Sequence, residues 1–186
     1  MKAAPYNFLG LICLGALTLL PTHSHSYAQD TSNNTKEQHY WVNLGGGFGW
    51  VHGGLGGDPA GVSGGLSLSY SKGSSLFSIR GVVNEEFKLD LWGYSGPPES
   101  VWDVGVLYGR IAKASSGLAS ISAGVSIVGA SLDEGTLPLR LGIPIEGQLF
   151  WTPTSVVGIG IYGFANWNSE KSFLGALLSL QIGKLR

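Results

Sequence analysis

The chain has 186 residues, a formal charge of −1 and charged side chains at only 12% of positions, against about 25% in ordinary soluble domains. That balance excludes a basic stripe for nucleic acid and leaves too few ionic groups to coat a water-facing exterior, while 30 glycines and six tryptophans are present. The single cysteine, Cys13, lies in an apolar leader, so the remainder has no disulfide, no thiolate nucleophile and no cysteine metal site.

Residues 1–28 read as a secretory signal. Lys2 supplies the positive start, Phe8–Leu20 the apolar region, and Ser26-Tyr27-Ala28 the small residues before a cut after Ala28. The apolar region falls short of the roughly 20 residues a spanning helix needs. Ile12 stands where a lipoprotein signal wants a small residue before Cys13. Residues 29–38 form a flexible polar leader, and residues 39–186 form one domain. No later apolar run reaches helical spanning length. A secreted chain this apolar, lacking a spanning helix, finds its solution in a closed barrel.

Eight segments alternate with a period of two, the mark of extended strands. The first, His39–His52, sets Tyr40, Val42, Leu44, Phe48 and Trp50 against Trp41, Asn43 and three glycines. The second, Ala60–Ser71, sets Val62, Leu66, Leu68 and Tyr70 against serines and Gly65. The third, Ser75–Glu85, places Phe77, Ile79 and Val83 outside, with Ser78, Arg80, Val82 and Asn84 inside. After the long connection Glu86–Glu99 comes Ser100–Ala112, with Trp102, Val104, Val106 and Tyr108 outside and Asp103 inside. The fifth is Leu118–Gly129. The sixth, Pro138–Trp151, has the clearest division: Leu139, Leu141, Ile143, Ile145, Leu149 and Trp151 on one face, Arg140, Gly142, Pro144, Glu146, Gln148 and Phe150 on the other. Ser155–Trp167 and Ser172–Lys184 complete the set.

These segments exceed the usual strand of about 5–6 residues and suit a tilted bilayer crossing of about 9–11. Connections after the first, third and fifth are long, and those after the second, fourth and sixth are tight, as in outer-membrane barrels with short periplasmic turns. The long connections and the last one carry mostly acidic groups; the short turns and the C-terminus carry Lys72, Lys113, Lys184 and Arg186. The rival is a soluble eight-stranded barrel with its apolar rows inward. Eight strands leave room for little more than side chains, and glycine and serine make a poor water-facing coat. The expectation is therefore an eight-stranded antiparallel transmembrane β-barrel in the Gram-negative outer membrane, with the bilayer as its partner.

The runs Val104–Arg110 (VGVLYGR), Ser120–Gly129 (SISAGVSIVG), Leu141–Trp151 (LGIPIEGQLFW) and Ser172–Arg186 (SFLGALLSLQIGKLR) resemble small outer-membrane β-barrel proteins of the Bacteroidetes type. The resemblance covers about Val101–Arg186 and implies fold and place, with no activity to carry over. It also implies handling by the barrel-assembly machinery. The chain ends Lys184-Leu185-Arg186, without the terminal aromatic that many proteobacterial barrels present to that machinery.

Four charges fall on inward rows: Arg80, Asp103, Arg140 and Glu146. A buried charge without a partner costs several kcal/mol or more, so an internal ionic network that plugs the lumen is expected. A gate that opens a thin water path by exchanging partners is the alternative. Trp50, Tyr70, Trp102, Tyr108, Trp151 and Trp167 lie near strand ends, as aromatic girdles do. Trp92 and Tyr94 are candidates for outer-loop recognition. His39 and His52 are expected at the membrane interface, too far apart to share a metal. His52 with Ser63 is the one arrangement that suggests an outer-leaflet lipid-modifying enzyme. Gly45–Gly49 lacks the Lys-Ser/Thr pair and helix of a phosphate loop. No cofactor or metal follows. The reading is a non-enzymatic structural or surface-recognition barrel.

Overall fold

The computed structural model describes residues 37–55, 58–87, 98–132 and 135–186. The expected signal, nearly all of the leader, and Trp92 and Tyr94 lie outside them. Eight strands follow in order: β1 (Gln38–Leu55), β2 (Asp58–Lys72), β3 (Ser75–Glu86), β4 (Ser100–Ala114), β5 (Gly117–Leu132), β6 (Gly135–Trp151), β7 (Val157–Asn168) and β8 (Phe173–Lys184). Each pairs antiparallel with the next, and β1 pairs with β8, so the sheet closes on itself.

Closure fixes which rows face where. Phe48, Leu44 and Leu178 point outward and are 68%, 64% and 66% exposed. Their neighbours one residue along point to the axis. Arg80 is 1% exposed and Gln181 0%. A water-soluble barrel would have the reverse arrangement. An apolar outer wall around a polar interior, with every strand paired on both sides, is the arrangement of a membrane-spanning barrel. The chain is an eight-stranded transmembrane β-barrel of the outer-membrane type.

The interior is layered. At the short-turn end Trp41, Leu76, Ile111, Leu118, Phe150 and Leu185 are buried; at the other end Val51, Leu55, Val101, Val128 and Phe173 are buried. Phe164 and Phe173 meet there with ring centroids 6.2 Å apart. Buried polar groups, with Leu107 and Leu177 among them, occupy the layer between. Leu185 is held by its N–H donating to the Ser155 carbonyl at 2.8 Å, which brings the C-terminal segment into the short-turn mouth.

The turns follow local chemistry. Gly73 adopts φ +60, as a two-residue hairpin with glycine first requires. Ser115 and Ser116 form the equally short β4–β5 turn. Thr154 Oγ1 accepts the N–H groups of Val156 and Val157 at 3.3 and 3.0 Å. Ser155 and Val156, expected to begin the seventh strand, therefore belong to the turn. The expected loop at residues 130–137 is largely strand, because the β5–β6 ladder continues to Leu132↔Gly135. The last β6–β7 pair is Gly142↔Asn168, so this hairpin rises above its neighbour.

Outside the barrel, Trp102 pairs with Gly129 on β5. A Cβ on Gly129 would meet the indole at 2.5 Å. The ring thus lies over the glycine, which leaves Trp102 half-buried. Backbone approach is closer at Gly124, where a Cβ would come within 1.9 Å of the Val106 carbonyl oxygen and 2.8 Å of the Leu107 Cα. Gly46 has only the Ser63 carbonyl at 4.0 Å. Gly124→Val should abolish most of the folded, heat-modifiable species on cold SDS gels, whereas Gly46→Ala should leave it near wild type.

Candidate functional site

Strand alternation brings Arg80 on β3, Asp103 on β4, Glu146 on β6, and Tyr162 and Asn166 on β7 into one central layer. Arg80 reaches Asp103 with Nη2–Oδ2 2.7 Å, both side chains fully buried. The same guanidinium crosses the lumen and donates to the carbonyls of Ile145 and Ala165, each at 2.9 Å. One cation thus ties β3 and β4 to the β6–β7 wall opposite.

Asn166 Nδ2 donates to Asp103 Oδ2 at 2.5 Å and to Ser126 Oγ at 2.7 Å. Glu146 has different partners. Its Oε1 accepts from Ser78 Oγ at 2.7 Å and Gln148 Nε2 at 3.2 Å, and its Oε2 accepts from Tyr162 Oη at 2.5 Å. Neutral donors from β3, β6 and β7 therefore surround this carboxylate. Gln148 Oε1 continues the chain, accepting from Asn43 Nδ2 at 3.4 Å and Gln181 Nε2 at 3.2 Å. Asn43 also donates to Ser67 Oγ at 2.7 Å. The network visits all eight strands.

Three of the four charges expected to share the lumen are in this layer. Arg140 is not. It has the parity of an inward residue but sits above the last β6–β7 pair, where no wall closes around it. Its side chain, 44% exposed, meets Glu170 in the β7–β8 turn at 3.2 Å. The expected four-charge cluster is corrected to Arg80, Asp103 and Glu146. Tyr162, Gln148 and Asn166 are the members that a search for charges passes over. Their signal was their place on inward rows.

The girdle candidates divide by end. Tyr70 and Tyr108 lie near the short turns with Trp151, while Trp50 and Trp167 lie toward the other end with half-buried Trp102. Phe77 packs on Tyr108 with ring centroids 5.0 Å apart. His39, expected at the membrane interface, does not face it. It is buried, 3.6 Å from Glu37, because its parity turns it into the short-turn mouth. His52 is exposed, whereas Ser63 is buried and donates to Asn84 Oδ1 at 2.5 Å. The wall separates them, so they form no catalytic pair. Among the described residues no group of three or more His, Cys, Asp or Glu converges to hold a metal.

The sequence matches no protein-family model and no curated relative. Solved structures do match. Neisserial surface protein A superposes with a TM-score of 0.62 at 12% identity, covering 77% of this chain and 96% of that one. Ail, the attachment invasion locus protein of Yersinia pestis, gives 0.58 at 10% identity, covering 79% and 99%. The likeness is one of fold. Ail has also been solved with the heparin analogue sucrose octasulfate; that structure gives 0.53 at 12% identity, covering 79% and 99%. These neighbours support the small outer-membrane barrel in the motif resemblance and say nothing of the bacterial group.

The network makes a stability prediction. Arg80→Met strands a buried Asp103 and should cost about 3–5 kcal/mol of unfolding free energy. Adding Asp103→Leu should recover much of that loss, since both ends of the pair are then apolar. Arg140→Gln removes an exposed pair and should cost less than about 1 kcal/mol. Urea titration of the barrel in lipid vesicles, followed by tryptophan fluorescence, checks all three.

Proposed function

We propose that the chain is a non-enzymatic outer-membrane barrel that presents its longer connections for recognition at the cell surface. The observation that carries the reading is the filled interior. A hydrogen-bonded layer across the axis, capped by apolar side chains at both ends, supports a plugged lumen. A solute path would require breaking the Arg80–Asp103 pair and the Glu146 shell together. The part offered to the exterior is then the long-connection end, including the raised β5–β6 hairpin. The Bacteroidetes kind of small barrel, to which the motif runs are similar, fits this role.

The chemistry of that end bears on the partner. Its connections hold Asp58, Glu86, Asp90, Glu99, Asp133, Glu134 and Glu170 against Lys88 and Lys171. This acidic balance disfavours a polyanion of the heparin kind and favours a neutral glycan or a basic protein surface. Trp92 and Tyr94 offer aromatic faces for the former.

Two measurements test the proposal. Purified barrel in a planar bilayer should give no conductance steps above the lipid baseline. Replacing residues 88–97 by a glycine-serine linker should lower glycan-array or host-surface binding at least tenfold while the heat-modifiable barrel remains. Steady conductance that changes in Arg80→Met would contradict the plug. A lipid A mass change restored by wild type but not by His52→Ala would contradict the non-enzymatic role.

A further inference from the structure

At the short-turn end, three cations occupy outward positions on one side of the barrel. Lys72 follows Tyr70 on the outer row of β2, Arg110 follows Tyr108 on β4, and Lys184 follows Ile182 on β8; all three are exposed. Register joins them into an arc: Tyr40 pairs with Lys184, Gln38 with Lys72, and Ser75 with both Lys72 and Arg110. Lys72 and Arg110 stand level and two strands apart, about 10 Å, whereas Lys184 is two strands and two residues from Lys72, about 12 Å. Two long side chains can close that gap on one phosphate.

The same strands carry an apolar groove of about 580 Å³, just toward the membrane centre from the arc. Tyr40, Val42, Leu68, Phe77, Ile79 and Ile182 line its outer face. That volume is ordinary for a small-molecule site, about 300–1,000 Å³.

The other side of the ring differs. The outward positions nearest the short turns on β5, β6 and β7 are Gly117, Trp151 and Val157, all uncharged. Arg186 is turned away, donating to the carbonyls of Ser115 and Thr152. Lys113 reaches Ser71 Oγ at 2.9 Å, on the inward row. Arg110 gives one donor to Ser74 Oγ at 3.0 Å and keeps the rest of its fork. The one side-chain carboxylate at this end among the described residues, Glu37, lies beside His39.

Cations and groove therefore coincide on one side only. Together they match an amphiphile with an anionic head and an apolar tail. We propose that this face seats one anionic phospholipid of the periplasmic leaflet. Its phosphodiester lies between Lys72 and a neighbouring cation, its glycerol backbone lies at the level of the Tyr40 and Tyr70 phenols, and one acyl chain fills the groove. The seat rests on the transmembrane reading of the exterior. Heat-dependent gel mobility tests that reading separately.

The experiment is native mass spectrometry of the barrel purified from outer membranes in zwitterionic detergent, with phosphatidylglycerol and phosphatidylcholine added in equal amounts. One phosphatidylglycerol should be retained at least tenfold over phosphatidylcholine. The variant K72Q/R110Q/K184Q should lose that preference, whereas Arg140→Gln at the opposite end should keep it. Leu68→Trp, which fills the groove and leaves every cation, should also weaken retention. If the triple variant fails to fold, K72Q decides, and it should lower retention. Equal retention of the two lipids overturns the proposal. So does unchanged retention in the cation variants, or displacement of the lipid by inorganic phosphate at equal concentration.

Discussion

Hydrocarbon offers no hydrogen-bond partner to a peptide group, and an unpaired N–H or C=O within it costs several kcal/mol. The β1–β8 ladder is the answer to that constraint here. It runs from Tyr40↔Lys184 to Val51↔Phe173 and removes the two free edges that an open sheet would present. Once the ring closes, the remaining features follow. Each strand must give one row to lipid and one to the axis, and eight strands leave an interior only wide enough for side chains. Glycine and serine on the inward rows make space for the few large groups among them.

Those large groups form the second level of the fold. Among the described residues Arg80 is the only cation in the central layer, and it is shared between a carboxylate on β4 and two carbonyls on the opposite wall. Glu146 is held by three neutral donors, Ser78, Gln148 and Tyr162. The two carboxylates thus use different physics, ion pairing for Asp103 and hydrogen bonding for Glu146. Both are specific in geometry, because each donor comes from a different strand. A register slip by one residue would turn these groups toward lipid, so the network fixes register as well as filling space. That network is what supports the proposal of display over transport.

Much of this was legible in the sequence. Period-two alternation located all eight strands, and the observed ends differ by a few residues. Orientation came from bulk, since eight strands leave room for little more than side chains and glycine and serine make a poor water-facing coat. What the alternation could not give was depth. Arg140 and Glu146 share a parity, yet one lies above the closed ring and the other at its centre, because the β5–β6 hairpin outruns its neighbour. His39 shows the same blind spot from the opposite end: its parity is inward, while its terminal position suggested an interface. Tyr162, Gln148 and Asn166 were visible as inward polar residues; Gln148 and Tyr162 meet Glu146 within the β6–β7 hairpin, but Asn166 meets Asp103 across the lumen, between strands far apart in sequence.

The central claim is that alternate residues face lipid and axis, with lipid outside. β5 tests it cleanly, since the chain has no cysteine beyond Cys13. Single cysteines placed from Ser120 to Ile127, omitting Gly124, can carry nitroxide labels in barrels reconstituted into vesicles. The account predicts that labels at Ile121, Ala123, Val125 and Ile127 are accessible to oxygen dissolved in the bilayer, whereas those at Ser120, Ser122 and Ser126 are not, giving a period of two. Inverted parity, or uniform accessibility to a water-soluble nickel complex along the strand, would contradict it.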